Sequence, residues 1–116
     1  MGFWRKELVD FALDRATLEQ IREQMEWIER EPSHPRPYYQ LALLYRMQGK
    51  QEAALGLLLE AIGLDPGLAD AHIALSEIYS IREDYRSAWR HARQAAAGGD
   101  SSALAMLERH GITETE

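Results

Sequence analysis

The chain contains no cysteine. Neither a disulfide nor a thiolate metal site can form, and nothing in the chain depends on an oxidising compartment, which points to the cytoplasm. No apolar run approaches the roughly 20 residues needed to cross a bilayer. No stretch of the chain is basic overall. Residues 1–34 carry 5 Lys/Arg against 8 Asp/Glu, residues 35–68 carry 3 against 3, 69–102 carry 4 against 5, and 103–116 carry 1 against 3. Nucleic acid, which calls for a clustered positive footprint, is therefore excluded as a partner.

Catalytic patterns are missing too. The four histidines, His34, His72, His91 and His110, form no HExxH or other metal-ligand spacing. His72 and His91 are the one pair expected to approach each other, with His72 filling a packing position and His91 partly exposed. Two ligands do not make a metal site, so no metal or cofactor is expected. No serine sits in a GxSxG turn, and no glycine-rich phosphate loop is present. A non-enzymatic protein is the expectation.

The opening stretch "MGFWRKELVDFALDR" mixes charges into its apolar residues, unlike a signal peptide. Phe3 and Trp4 beside Arg5 and Lys6 resemble an interfacial membrane helix, but Glu7 and Asp10 oppose anionic lipid. Core packing is the simpler reading of these aromatics.

What the chain does have is a period. Shifting it by 34 residues aligns Leu41 with Leu75, Tyr45 with Tyr79, Ala54 with Ala88 and Ala61 with Ala95, without a gap. The opposite shift sets Trp4 under Tyr38, Phe11 under Tyr45 and Pro32 under Pro66. Such a period marks stacked supersecondary units that share a continuous core. Each unit is expected to hold two helices. In the middle unit Tyr38, Leu41, Ala42 and Tyr45 lie on one helical face, Gly49 supplies a left-handed stop, and Ala54, Leu57, Leu58, Ala61 and Ile62 begin the pattern again before Pro66 ends it. In the first unit Trp4, Leu8 and Phe11 mark one helix and Leu18, Ile21, Met25 and Ile28 a second, with Thr17 and Gln20 as a capping box between them. Gly56 and Gly63 lie inside a helix against their propensity. Ser101 or Ser102 can cap a last short helix, closed by Gly111.

These residues resemble the tetratricopeptide repeat family, whose units run aromatic, Leu, small residue, Tyr, then Ala, a bulky apolar residue and Pro. The middle unit carries Tyr38, Leu41, Ala42, Tyr45, Ala54, Leu58, Ala61 and Pro66; the third carries Leu75, Ser76, Tyr79, Ala88 and Ala95. The third departs from the pattern at His72, Ala92 and Asp100, and the first departs at Glu7, Leu8, Gln20 and Trp27. The resemblance implies an all-α, right-handed α-solenoid of antiparallel helix pairs. A single domain over 1–112 would comprise a degenerate first pair at 1–34, repeats at 35–68 and 69–102, and a capping helix at 103–112, followed by a disordered tail at 113–116.

The resemblance also implies a function: a protein–protein interaction module, an adaptor or scaffold that takes a helix or extended peptide of a partner protein in its concave groove. The groove face would carry Tyr39, Leu43, Met47, Ile73 and Ile81 as an apolar floor, edged by Arg36, Arg46, Asp70 and Glu77. The carboxylate clamp of one chaperone-binding subgroup would fall on Arg5, Val9, Gln40, Asp70 and Ala74, or one unit later on Tyr39, Leu43, Ala74, Leu104 and Glu108. Neither set fits, because an acidic side chain repels the carboxylate. The alternative is a homodimer, self-associating through a terminal helix or through exposed Trp4, Trp27 and Trp89, with the groove filled by the chain's own helices.

Overall fold

The computed structural model describes residues 2–114, with side chains from residue 14 onward. Six helices follow one another: α1 (Gly2–Arg30), α2 (Pro35–Met47), α3 (Gln51–Leu64), α4 (Ala69–Ile81), α5 (Tyr85–Ala97) and α6 (Ser102–Arg109). Among the described residues there is no strand. Helices α2 and α3 form one antiparallel pair and α4 and α5 a second; α3 packs on α4, and α6 closes on both α5 and α4. This is a tetratricopeptide-like helical solenoid.

The turns inside the two pairs share one hydrogen-bonding scheme. At the end of α2, Gly49 N–H donates to Arg46 O and Lys50 N–H reaches back to Tyr45 O. At the end of α4, Glu83 N–H donates to Ser80 O and Asp84 N–H to Tyr79 O. Both close the helix through a residue in the left-handed region, Gly49 at φ 77° and Glu83 at φ 62°. Glycine takes this conformation without penalty, whereas glutamate has a Cβ to accommodate. The third unit offsets that cost with a cap: the Asp84 carboxylate accepts from Ser87 N–H at 3.2 Å and from the Ser87 hydroxyl at 2.8 Å.

The first unit differs from the expectation. Residues 2–30 form one uninterrupted helix of 29 residues in place of a helix pair. The positions equivalent to Gly49 and Lys50, one period earlier, are Arg15 and Ala16. Both are strong helix formers, and neither supplies the left-handed stop or a capping oxygen. Thr17 corresponds to the first residue inside α3, so the Thr17–Gln20 pattern that reads as a capping box lies within the helix. The side chains of Trp4, Leu8, Val9, Phe11 and Leu13 fall outside those described.

The core is built from small residues that let helices approach and a few large ones that fill the space between. Ala42, Ala54, Ala61, Ala71 and Ala74 surround Leu58, Leu75 and Ile78, all buried. A second cluster joins Ala88 and Ala92 of α5 to Ala103 and Leu107 of α6. A third sets Ile21 of α1 against Leu41 and Leu44 of α2, with Ile28 beside them. The start of α2 is capped as well, because His34 Nδ1 accepts from Arg36 N–H at 3.2 Å. His34 has no such role in the sequence reading.

Other expectations change here. Trp27 and Trp89 are half-buried, not exposed. The Trp27 indole N–H donates to Glu31 at 2.8 Å, and its ring lies against His34. The Trp89 indole N–H donates to Ile112 O at 3.2 Å. Ile112, at the end of the expected capping segment, packs on the Ala103–Leu107 cluster, and Glu114, in the expected tail, pairs with Arg93. Residues 115 and 116 lie outside those described.

Candidate functional site

Helices α2 and α4 lie side by side in the solenoid and carry all nine candidate residues. Arg36 precedes Tyr39 by one turn on α2. Its guanidinium reaches Asp70 at the start of α4, at 3.1 Å, and lies 5.5 Å from the centre of the Tyr39 ring. Nearly three turns further along α2, Arg46 pairs with Glu77 at 3.3 Å. Two ion pairs therefore bridge α2 to α4, one at each end of the face. All four charged candidates are mutually neutralised rather than presented unpaired. Each pair is partly exposed, so its contribution to stability is modest, roughly 0 to 1 kcal/mol. Its larger effect is on the register of the two helices and on the charge offered to a ligand.

Tyr39 is half-buried between these pairs and packs against the main core cluster. Burial, followed by the nearby Asp70 carboxylate, raises its hydroxyl above the ordinary tyrosine value. The phenol is therefore neutral at physiological pH, available to donate and accept hydrogen bonds. Leu43, one turn on, is half-buried. Ile73 is half-buried too, but it packs against the α5–α6 cluster and so contributes to the fold.

Met47 and Ile81 are different. They are 74% and 69% exposed, the two most exposed large apolar side chains among the described residues. They stand one 34-residue period apart, at the last position of α2 and of α4. Neither is needed by any described core cluster. The nine candidates thus fall into a neutralised polar bridge of four, three half-buried residues (Tyr39, Leu43 and Ile73) and an exposed apolar margin of Met47 and Ile81. No pocket is found among the described residues.

Away from this face lies a buried polar pair. His72 Nε2 is 2.7 Å from Pro66 O, and His72 Nδ1 is 3.0 Å from His91 Nδ1. A carbonyl can only accept, so His72 carries its proton on Nε2, and its Nδ1 accepts from the Nδ1–H of His91. The Tyr79 ring stacks on His91 at 5.5 Å between centres. His91 is 4% exposed, so the sequence expectation of partial exposure does not hold. Desolvation, then the neighbouring His72, then Arg90, push its pKa down to about 4. The pair links α4 to α5 and fixes the turn before α4. A second polar link runs beside it, from the Ser76 hydroxyl to Ala88 O at 2.9 Å. Among the described residues, no group of three or more acidic or histidine side chains could hold a metal ion, and no helix is long and apolar enough to cross a membrane.

Residues 24–56 match the family model for the tetratricopeptide repeat. The match starts in the last turns of α1, crosses α2 and ends inside α3. Repeats of this type generally mediate protein–protein interaction and are typically not catalytic. No curated protein matches the chain.

Proposed function

We propose that the chain, whose residues 24–56 match the tetratricopeptide repeat, is a non-enzymatic adaptor that docks an apolar segment of a partner protein across α2 and α4. The observation that carries the reading is the pairing of Arg36 with Asp70 and of Arg46 with Glu77, which leaves Leu43, Met47 and Ile81 as the unsatisfied part of the face. A ligand of high net charge gains little from a neutralised rim. A short helix or extended peptide with apolar anchors and few charges gains by covering Met47 and Ile81, with Tyr39 offering a rigid ring and a hydroxyl. Ile73 serves as a secondary contact because part of its surface is already used. The absence of cysteine accords with a cytoplasmic location, which cell fractionation tests.

The test uses peptides selected from a random display library against the intact chain. The affinity of a selected peptide is then measured for the Met47→Glu/Ile81→Glu double variant. Both side chains are exposed, so the fold should tolerate the change, as circular dichroism can check. The reading predicts a loss of at least about tenfold, the equivalent of one well-buried apolar anchor. Unchanged affinity with an intact fold would remove the assignment.

A further inference from the structure

The second and third units tie down their first helix by the same bond. In the second, the Tyr38 hydroxyl donates to Pro32 O at 2.7 Å. One period later His72 Nε2–H donates to Pro66 O, also at 2.7 Å. The third unit thus has an imidazole where the second has a phenol. The other nitrogen of that imidazole lies 3.0 Å from His91 Nδ1, and His91 stands one period after Leu57. Where the second pair is sealed by Leu57 and Leu58, the third has His91 and Ala92. At those two positions α5 buries less apolar surface than α3. The histidine pair, with the Ser76 hydroxyl bond to Ala88 O, therefore holds a larger share of the α4–α5 seam.

We propose that the third unit is an acid latch: proton uptake by the His72–His91 pair parts α5 and α6 from α4, while α2 and α3 stay paired. The closed seam has no good place for a further proton. His72 already carries one on Nε2 and accepts on Nδ1, so a proton added there would face His91 Nδ1–H across 3.0 Å. A proton added to His91 charges a buried ring that has His72 and Tyr79 stacked against it and feels the positive charge of Arg90. Around this pair α6 presents Ala103 and Leu107 to α5, and α3 presents Leu58 and Ala61 to α4, so neither neighbouring helix brings a carboxylate to offset the charge. In the opened seam both rings meet water and can take a proton. Burial holds His91 at about 4 in the closed seam against its ordinary 6.5. Lowering the pH from 7 to 5 then favours opening about tenfold, after allowance for solvent screening. The second unit has no counterpart, because neither a phenol nor an alkyl side chain takes up a proton in mild acid. Asp84 and Asp100, at the starts of α5 and α6, keep their charge over this range, because bonds from Ser87 and Ser102 hold both below the ordinary carboxylate value. Ile73 rests against the α5–α6 cluster, so opening also alters the α2–α4 face. That last consequence rests on the docking reading; the latch itself does not.

Amide hydrogen exchange on the whole chain, resolved by helix and corrected for the intrinsic pH dependence of exchange, tests the latch without a ligand. Between pH 7 and pH 5 the amides of α5 and α6 should lose protection about tenfold, while those of α3 keep theirs. The His72→Tyr/His91→Leu variant carries the second unit's residues at both positions and should keep the protection of α5 and α6 constant over the same range. His34 and His110 remain in that variant, so any share of theirs would survive in it. The comparison of α5 with α3 is made within the parent chain and stands even if the variant does not fold. Constant protection of α5 in the parent overturns the proposal. So does an equal loss in α3 and α5, which is unfolding of the whole chain, and so does an acid loss that persists in the folded variant.

Discussion

The first 34 residues and the two units that follow share a period and part of a pattern, yet only the latter two turn back on themselves. The difference comes down to two positions. Where the second unit has Gly49 and Lys50 and the third has Glu83 and Asp84, the first has Arg15 and Ala16. Gly49 enters the left-handed region freely, and Glu83 is held there by the turn's backbone hydrogen bonds and the Asp84 cap. Arg15 and Ala16 offer no reason to leave the helix, so the helix continues. An apolar repeat pattern sets which faces are buried. Local turn chemistry sets whether two such faces become a hairpin or one long rod.

The comparison can be broken hardest in the core. Leu75 is fully buried among the packed pairs, so Leu75→Ala should cost about 2 to 5 kcal/mol in chemical denaturation. Leu18→Ala, on the exposed side of α1, should cost a single chain less than about 0.5 kcal/mol. Equal costs would mean that α1 is packed as the repeats are.

Acid should reach the repeats through the His72–His91 pair, which α1 lacks. The folded-state pKa of His91 lies at about 4, below its ordinary value of 6.5. The unfolded chain then takes up a proton first as pH falls. The pair's contribution is fully present above pH 6.5 and is lost progressively between 6.5 and about 4. After allowance for solvent screening, the loss should be on the order of 2 to 3 kcal/mol. His91→Phe should flatten the stability profile over that window. A profile already flat in the parent chain would show that His91 titrates normally.

The smallest effects are the most specific. Glu83→Gly relieves a left-handed glutamate and should stabilise by up to about 1 kcal/mol, while Gly49→Ala should destabilise by about the same. The equivalent change in the first unit, Arg15→Gly, should have the opposite sign to Glu83→Gly. A glycine inside a helix costs about 1 kcal/mol. Thermal melts of the three variants give the signs directly, and stabilisation by Arg15→Gly would place a turn at residue 15.

The repeat period, the packed faces of α2 to α5 and the closing α6 are all legible in the sequence, because small and large apolar residues recur at fixed positions. The membership of Arg36, Arg46, Asp70 and Glu77 in one face is legible from the same period. Their pairing with each other is not, because it depends on the lateral offset of α2 and α4. Ile73 reads as groove and is half core, since α6 covers part of it. His91 reads as partly exposed because its ring is polar. It is buried because His72 and Tyr79 give it a hydrogen-bond partner and a stacking partner. The missing turn in the first unit was available from Arg15 and Ala16. It is masked by apolar residues that keep the pattern of a helix pair.

The most direct test of the uninterrupted α1 is a distance. Spin labels on Lys6→Cys and Glu23→Cys, measured by pulsed electron resonance in labelled chains diluted with unlabelled ones, report the span within one molecule. Seventeen residues of continuous helix predict about 26 Å between the labelled backbones. A first unit folded like the second, with these residues in the places of Gln40 and Leu57, would bring them to about 10 Å and contradict the account.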